Sequence, residues 1–436
     1  MELTLYSPII TGRLPYIAEY LFEYLLAGEL KLTDDIGTFR AAQGPCINYS
    51  GKALRPDEVL LVPHALLTET GVQEQSLQTS MLDGVPICFT VAPGGALPFD
   101  PLAASFFMLS RYEEYLPYQP DAHNRFSAAQ SWAARSGALD RPIIWEWLKL
   151  LIAEIKRVFP EWGASLEKRS YQFCPTYDID IPWAYRYRGW RGWARAALEL
   201  VQLQRGAWQN RIKAWMQAES DPFFTFPALR ELHMATEIQP LVFWLLGQRS
   251  QYDTNPNPRS RVMRGLIQEV AQWAECGLHP SYRGGQHSQR IVQEKALLKE
   301  VLEEPVVRSR QHFLRFTLPH TYRELLAAGI RSDYSMGYAE QPGFRAGTSE
   351  PFHWYDLAAE RKTDLLVFPF AVMDVTLKNY QQMSPQEAQV MLQGLQAYCQ
   401  TEGLTFCTLW HNSSFSEAHG WAGWWEVYRS LFLPKG

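Results

Sequence analysis

Apolar positions in the first 160 residues fall into short runs and helical stripes. Leu3-Thr4-Leu5-Tyr6 predicts a strand. Across 14–27, Ile17, Leu21 and Tyr24 share one helical face, and Gly28 is a stop signal. The runs Val59 to Pro63 and Val85 to Phe89 predict short buried strands. Asp100 before Pro101 opens a helix that passes through Phe106, Phe107 and Leu109 to Tyr115. Asp140 and Pro142 open a second, amphipathic helix. Its stripe is Ile144, Leu148, Leu151, Ile155 and Val158, and Pro160 ends it. The polar stretch from Gly163 to Ser170 reads as a linker, which divides the chain into residues 1–165 and 166–436.

Beyond the linker the pattern becomes strand, loop, helix, repeated. Strands are predicted at Tyr171–Cys174, Leu241–Leu246, Gly277–His279, Phe313–Phe316, Leu365–Phe368 and Phe406–Leu409. Helical periodicity covers 262–275, 289–302, 321–328, 385–400 and 423–433. Such alternation predicts parallel βα units, whose chemistry collects at the C-terminal ends of the strands.

Composition narrows the function classes. A length of 436 residues implies two or three domains, and 47% hydrophobic with 20% charged residues excludes a disordered chain. The net charge of -5 argues against a protein that lives on phosphate attraction, so no nucleic-acid partner is expected. The 16 Trp and 21 Tyr serve core packing first, although flat rings also suit sugar faces. The longest apolar run, Leu241 to Leu246, falls far short of the roughly 20 residues of a membrane span. Met1 to Tyr6 has no basic leader pattern, so a cytoplasmic protein without a transmembrane segment is expected. The six cysteines show no CxxC spacing, which argues against a zinc knuckle or a disulfide framework.

The residues able to bind a metal or move protons sit after the strands. Asp178 and Asp180, at i and i+2, share one side of an extended chain, so one can hold a cation while the other takes a proton. A turn or cap before Pro182 is the structural alternative. His279 follows Gly277-Leu278, and His411 ends the last predicted strand. Arg310 and His312 alternate just ahead of Phe313, so on a strand both would point the same way. Asp374 follows another strand end and either enters the site or caps Thr376.

From about Tyr171 onward the chain resembles polysaccharide deacetylases of the NodB-homology type, carbohydrate esterase family 4-like. The resemblance lies in Thr176-Tyr177-Asp178-Ile179-Asp180, in Gly277-Leu278-His279-Pro280-Ser281-Tyr282 and in Leu409-Trp410-His411. It is closest to a bacterial subgroup marked by Arg310-Gln311-His312-Phe313-Leu314-Arg315, Gly343-Phe344-Arg345-Ala346-Gly347-Thr348 and Trp410-His411-Asn412-Ser413. In that subgroup a domain of unknown function leads, which the stretch from Phe99 to Pro117 resembles. The resemblance implies an α/β fold, a distorted (β/α) barrel of the NodB type behind a small N-terminal α/β domain. It implies metal-dependent removal of acetyl groups from a carbohydrate, with zinc the best-suited cation. By position Asp178 would be the general base, oriented by Arg310, and His411 the general acid. Asp180 and His279 would be metal ligands, and Tyr282, Arg345 and Trp410 substrate contacts. Arg345 is equally readable as a loop ion pair, and the tryptophans near the C-terminus as packing for the last helix.

Two departures from the family pattern stand out. The aspartates are split by Ile179, and the position four residues after His279 is Arg283 rather than a second histidine. His312 or His287 would then supply the third ligand, with His312 preferred because an alternating strand aims it inward. The alternative is a catalytically silent barrel, a glycan-binding or scaffold protein in polysaccharide biosynthesis.

Overall fold

The computed structural model describes residues 2–163, 169–187, 194, 198 and 205–432. The linker expected at 163–170 lies mostly outside the described residues. Strands β1 (Glu2–Tyr6), β2 (Glu29–Thr33), β3 (Cys46–Tyr49) and β4 (Val59–Leu61) form a parallel sheet in the order β2-β1-β3-β4. A hairpin follows, β5 (Ser80–Leu82) and β6 (Val85–Ile87). Asp83 and Gly84 turn it with φ of 49° and 79°, the conformation an Asp-Gly pair accepts most readily. The stripe expected over 14–27 forms an α-helix, Arg13–Ala18, continuing as a π-helical stretch, Glu19–Leu25; Ile17 and Leu21 are buried and Tyr24 is exposed. Asp100 caps the helix Pro101–Leu109 by accepting from the Leu102 and Ala103 amides, each at 3.0 Å. That helix stops short of Tyr115 because Arg111 adopts φ 54°. The helix Ile143–Val158 buries Ile144, Leu148, Leu151 and Ile155 as its periodicity predicts, while Val158 stays half-buried.

The second part is a nine-stranded sheet: β7 (Gln172–Ile179), β8 (Leu241–Leu245), β9 (Glu275–His279), β10 (Arg308–Ser309), β11 (Ser332–Met336), β12 (Phe352–Asp356), β13 (Arg361–Pro369), β14 (Val372–Met373) and β15 (Thr405–His411). Its order is β12-β13-β11-β10-β9-β8-β7-β15-β14, and every pair is parallel except β12 with β13. The chain itself brings the two ends of the sheet together. Past β13, the Phe370 amide donates to the Met336 carbonyl on β11 and the Ala371 amide to the Cys407 carbonyl on β15. The result is the expected architecture, a distorted (β/α) barrel beside a smaller α/β unit. Inside it Phe243, Tyr334, Phe368, Phe370, Met373 and Leu409 are packed. Gly277 makes room for Phe243, whose ring would lie 2.6 Å from any Cβ there.

One expected strand is absent. Phe313–Phe316 does not extend β10; His312–Leu314 is a 3₁₀ turn with φ of 60° at Phe313 and 52° at Leu314. Left-handed backbone costs roughly 1–2 kcal/mol per non-glycine residue. Packing of the Phe313 ring against His123 (4.8 Å between centroids) and Tyr282 (5.4 Å) offsets it. Conversely, β11 was not anticipated, because its buried Asp333 and Ser335 read as polar. The two satisfy each other, the Ser335 amide donating to Asp333 Oδ1 at 2.9 Å.

One apolar core runs through both parts, from Leu3 to Leu431. An ion network crosses between them. Glu114 accepts from Arg111 Nε at 2.7 Å and from Arg345 Nε and Nη2 at 2.9 and 2.6 Å, and all three residues are buried. Burial alone would raise the Glu114 carboxyl, but Arg345 and Arg111 outweigh it and hold it below the ordinary range. Replacing Glu114 by Ala leaves two buried guanidinium groups facing each other. Urea unfolding of Glu114→Ala is expected to show a loss of about 3–5 kcal/mol; a loss under about 1 kcal/mol would mean that the network is not a structural tie.

Candidate active site

The strand ends at the carboxyl side of the barrel deliver the acidic and imidazole groups to one place. β7 and β15 run in register so that Asp178 lies beside His411, and β8 and β9 place Leu245 beside His279. His279 Nε2 is 3.3 Å from Asp180 Oδ1 and 3.6 Å from Asp178 Oδ2. His312 Nε2 is 3.6 Å from Asp180 Oδ1, and His411 Nε2 is 3.8 Å from Asp180 Oδ2. His312 reaches this point from the 3₁₀ turn rather than from a strand. Arg283 faces a separate cleft and does not occupy the position among these groups. His287 precedes the helix Ser288–Leu302 and takes no part in the cluster.

Each side chain is held from behind. His279 Nδ1 meets the Arg310 carbonyl at 2.6 Å, and His312 Nδ1 meets Asp253 Oδ1 at 3.0 Å. With Nδ1 engaged from behind, each ring turns its Nε2 toward Asp180. Asp374 was expected either to enter the site or to cap Thr376. It holds His411 twice, accepting from its amide at 2.7 Å and meeting Nδ1 at 2.9 Å, and it also accepts from the Val375 amide. Arg310 is fully buried inside the barrel, its guanidinium 4.6 Å from the Phe243 ring centroid. It donates to Asp178 Oδ1 at 3.1 Å and to the Tyr334 carbonyl at 2.9 Å.

Asp180, His279 and His312 form a group able to hold a cation, their ligand atoms lying within 4.8 Å of one another. Asp180 Oδ1 is buried with no well-aligned hydrogen bond, and its nearest polar neighbours are the two imidazole nitrogens, an arrangement that leaves room for a cation among them. Two ligand atoms each about 2.0–2.2 Å from a tetrahedral ion lie about 3.3–3.6 Å apart. The distances of 3.3 and 3.6 Å from Asp180 Oδ1 to the two imidazoles match that edge. The donor set therefore fits a divalent cation.

The charges agree with that fit. Burial would raise Asp180, yet the imidazoles of His312 and His279 hold it well below the usual carboxylate range. Burial would likewise lower His312 and His411. Asp180 and Asp253 instead raise His312 to about 9, and Asp374, Asp180 and Asp178 raise His411 to about 10. In the ion-free protein, protons on these rings balance the carboxylates.

The surrounding cavity has a volume of 190 Å³. Its walls are Phe313, Leu314, Met373, Val375, Tyr380 and Leu409, with Arg125 supplied by the N-terminal part. Arg125 is pinned by Asp121 and donates to the Phe313 carbonyl at 2.8 Å and the Tyr380 hydroxyl at 3.2 Å. Neither Arg125, Tyr380 nor Asp253 stands out in the sequence, since each matters only through a contact distant along the chain. Of the expected substrate contacts, Tyr282 lies beside the cavity, stacked on Tyr252 at 4.1 Å and near Phe313. Arg345 and Trp410 lie elsewhere. Arg345 is spent on Glu114, and Trp410 is buried against Phe415, Tyr428 and Trp424. Trp421 and Trp424 pack the last helix, the structural alternative raised above for the tryptophans near the C-terminus.

Residues 3–160 match a family of unknown function, DUF7033. No curated protein matches the chain in sequence. Solved structures similar to part of it include a proposed polysaccharide deacetylase from Mycobacterium smegmatis, 13% identical with a TM-score of 0.39 over 62% of this chain and 84% of that one. A polysaccharide deacetylase from Bacillus cereus is 9% identical with a TM-score of 0.31, over 60% and 85% of the two chains. A CE4 family pseudoenzyme from Bacillus anthracis is 9% identical with a TM-score of 0.29, over 61% and 62%. No helix among the described residues is long and apolar enough to cross a membrane.

Two outcomes follow from this geometry. A divalent cation must displace the proton of His312, so apparent zinc affinity, measured by competition with a chelator, is expected to fall about tenfold per pH unit below 9. A pH-independent affinity would contradict the ligand role of His312. Replacing Asp253 by Asn should weaken zinc binding by roughly 10–100-fold through loss of ring orientation; unchanged binding would make Asp253 irrelevant to the centre.

Proposed function

We propose that the protein is a metal-dependent hydrolase that removes acetyl groups, by amide or ester cleavage, from a carbohydrate. The observation that carries this reading is the buried, unpartnered Asp180 Oδ1 between the Nε2 atoms of His279 and His312. Asp180, His279 and His312 would hold the cation, with zinc favoured by a set of two imidazoles and one carboxylate. When bound there, it supplies Lewis-acid polarisation and acidifies water toward a pKa of about 7.

The chain's own groups supply the proton transfers. Asp178 is the base. Its Oδ1 is held by Arg310, which leaves Oδ2 turned toward the cluster to take the proton of the attacking water. His411 is the acid. Asp374, with the site carboxylates, favours its protonated form, and Asp374 fixes its ring with Nε2 toward the site, where it gives its proton to the departing amine or alkoxide. Arg310 is a positioning residue that acts through Asp178. The cavity size also supports removal of a small group. At 190 Å³ it is smaller than the roughly 300–1,000 Å³ that encloses a whole drug-sized ligand, so an acetyl group would enter while the sugar remains outside.

In this reading residues 1–165 are a covering unit and 166–436 the catalytic barrel, with Arg125 the first unit's contribution to the cavity wall. The rival reading, a silent glycan-binding barrel, drew on Arg283 in place of a histidine. With Arg283 lining another cleft, that residue no longer stands against a cation.

The decisive assay is acetate release from acetylated oligosaccharides by the zinc-loaded protein. Asp178→Asn is expected to keep its zinc and lose about 10²–10⁴-fold in rate. Equal rates in the variant and the parent would remove the mechanism. Glycan binding without acetate release, unaffected by chelator, would favour the silent barrel.

A further inference from the structure

On the far side of His312 lies a second, much larger concavity of 1140 Å³. Asp253 joins the two cavities: its Oδ1 holds His312, and the residue itself lines the large cleft. Ser281, two residues past His279, lines the cleft as well. Near them Tyr252 stacks on Tyr282, and Tyr282 packs beside Phe313 of the small cavity.

Among the described residues the exposed charge of the large cleft is one-sided. Arg249, Arg259, Arg283 and Arg290 all line it, all four are exposed, and none forms an ion pair among the described residues. Among the described residues its lining carries two carboxylates, and both are committed inward. Glu294 accepts from the Ser281 amide at 2.8 Å and the Ser281 hydroxyl at 2.5 Å. Asp253 is occupied by His312, the Ser250 hydroxyl and the Tyr282 amide. A chain of net charge -5 thus concentrates four guanidinium groups without a close ion pair among the described residues in one concave place, although Glu294 and Glu300 lie near enough to feel Arg290 and Arg259. Guanidinium forks match planar or tetrahedral oxyanions, and a concave wall focuses their field. Gln248, Asn257 and Gln293 in the same lining offer amide groups of the kind that meet sugar hydroxyls.

We propose that this cleft binds an oxyanion carried by the ligand, which makes the glycan an acidic one. The sugar chain would lie across the Tyr252–Tyr282 stack, with its acetylated residue at the small cavity and its negative group among the arginines. The carbohydrate part of this inference rests on the hydrolase reading, whereas the anion site does not. The oxyanion is either a uronic carboxylate or a sugar phosphate, both recognised by the same forks.

Calorimetry on the full-length protein separates the cases. The probes are tri-galacturonate, inorganic pyrophosphate and, as a neutral control, tri-N-acetylchitotriose. At least one anion is expected to bind with an affinity that falls as salt rises, while the neutral trimer binds about tenfold or more weakly. The double variant Arg283→Gln/Arg290→Gln should lose about tenfold or more in anion affinity and keep its zinc content, and Arg249→Gln/Arg259→Gln provides a second, independent pair. Binding of tri-galacturonate assigns the carboxylate source, and binding of pyrophosphate alone assigns the phosphate. If neither anion binds the parent, or both variant pairs bind as the parent does, the anion site is wrong. Anion binding intact in a protein that holds no zinc would instead remove the hydrolase reading and leave the cleft standing.

Discussion

The site depends on one carboxylate oxygen. Asp180 Oδ1 is removed from water and given no hydrogen-bond donor, while two imidazoles approach it at 3.3 and 3.6 Å. A buried, uncompensated acceptor costs roughly 1–3 kcal/mol, more when it is charged. Keeping such an atom makes physical sense only if a cation or the imidazole protons balance it. The rest of the site follows from holding those three groups still. Asp253 and the Arg310 carbonyl fix the rings, Arg310 fixes Asp178, and the barrel interior fixes Arg310.

The barrel supplies convergence. Parallel strands end on one side, so residues far apart in sequence meet without any long-range instruction beyond strand register. The N-terminal unit adds what strand ends lack. Arg125 closes a wall of the small cavity, and the Arg111–Glu114–Arg345 network ties the unit to the barrel from within. The two parts share one apolar core, so a change in the tie is also a change at the cavity wall.

Much of this was legible in the sequence, and the reason is local. Apolar runs of four to six residues marked β8, β13 and β15, Gly277–His279 marked the end of β9, and His279 and His411 are the last residues of β9 and β15. Asp178 and Asp180 were visible as an i, i+2 pair, although β7 runs farther than its apolar run suggests. His312 lies beside them, but not for the reason its sequence suggests. A strand was expected, but two successive left-handed residues place the ring, and nothing in Phe313-Leu314 announces positive φ. Arg345 and Trp410 were read as substrate contacts because glycine context and aromatic identity do not reveal burial. Asp253 and Arg125 escaped notice because their partners, His312 and Tyr380, lie 59 and 255 residues away. The arginine cleft escaped for the same reason: its cations come from separate loops and a helix, and no charge run marks it.

X-ray absorption on the zinc-loaded protein probes the centre most directly. A first shell with two imidazole nitrogens at about 2.0–2.1 Å and a carboxylate oxygen, reduced to one imidazole in His312→Ala, is the predicted outcome. A protein that retains no zinc, or a shell unchanged by loss of His312, would contradict the assignment of Asp180, His279 and His312 as a single metal centre.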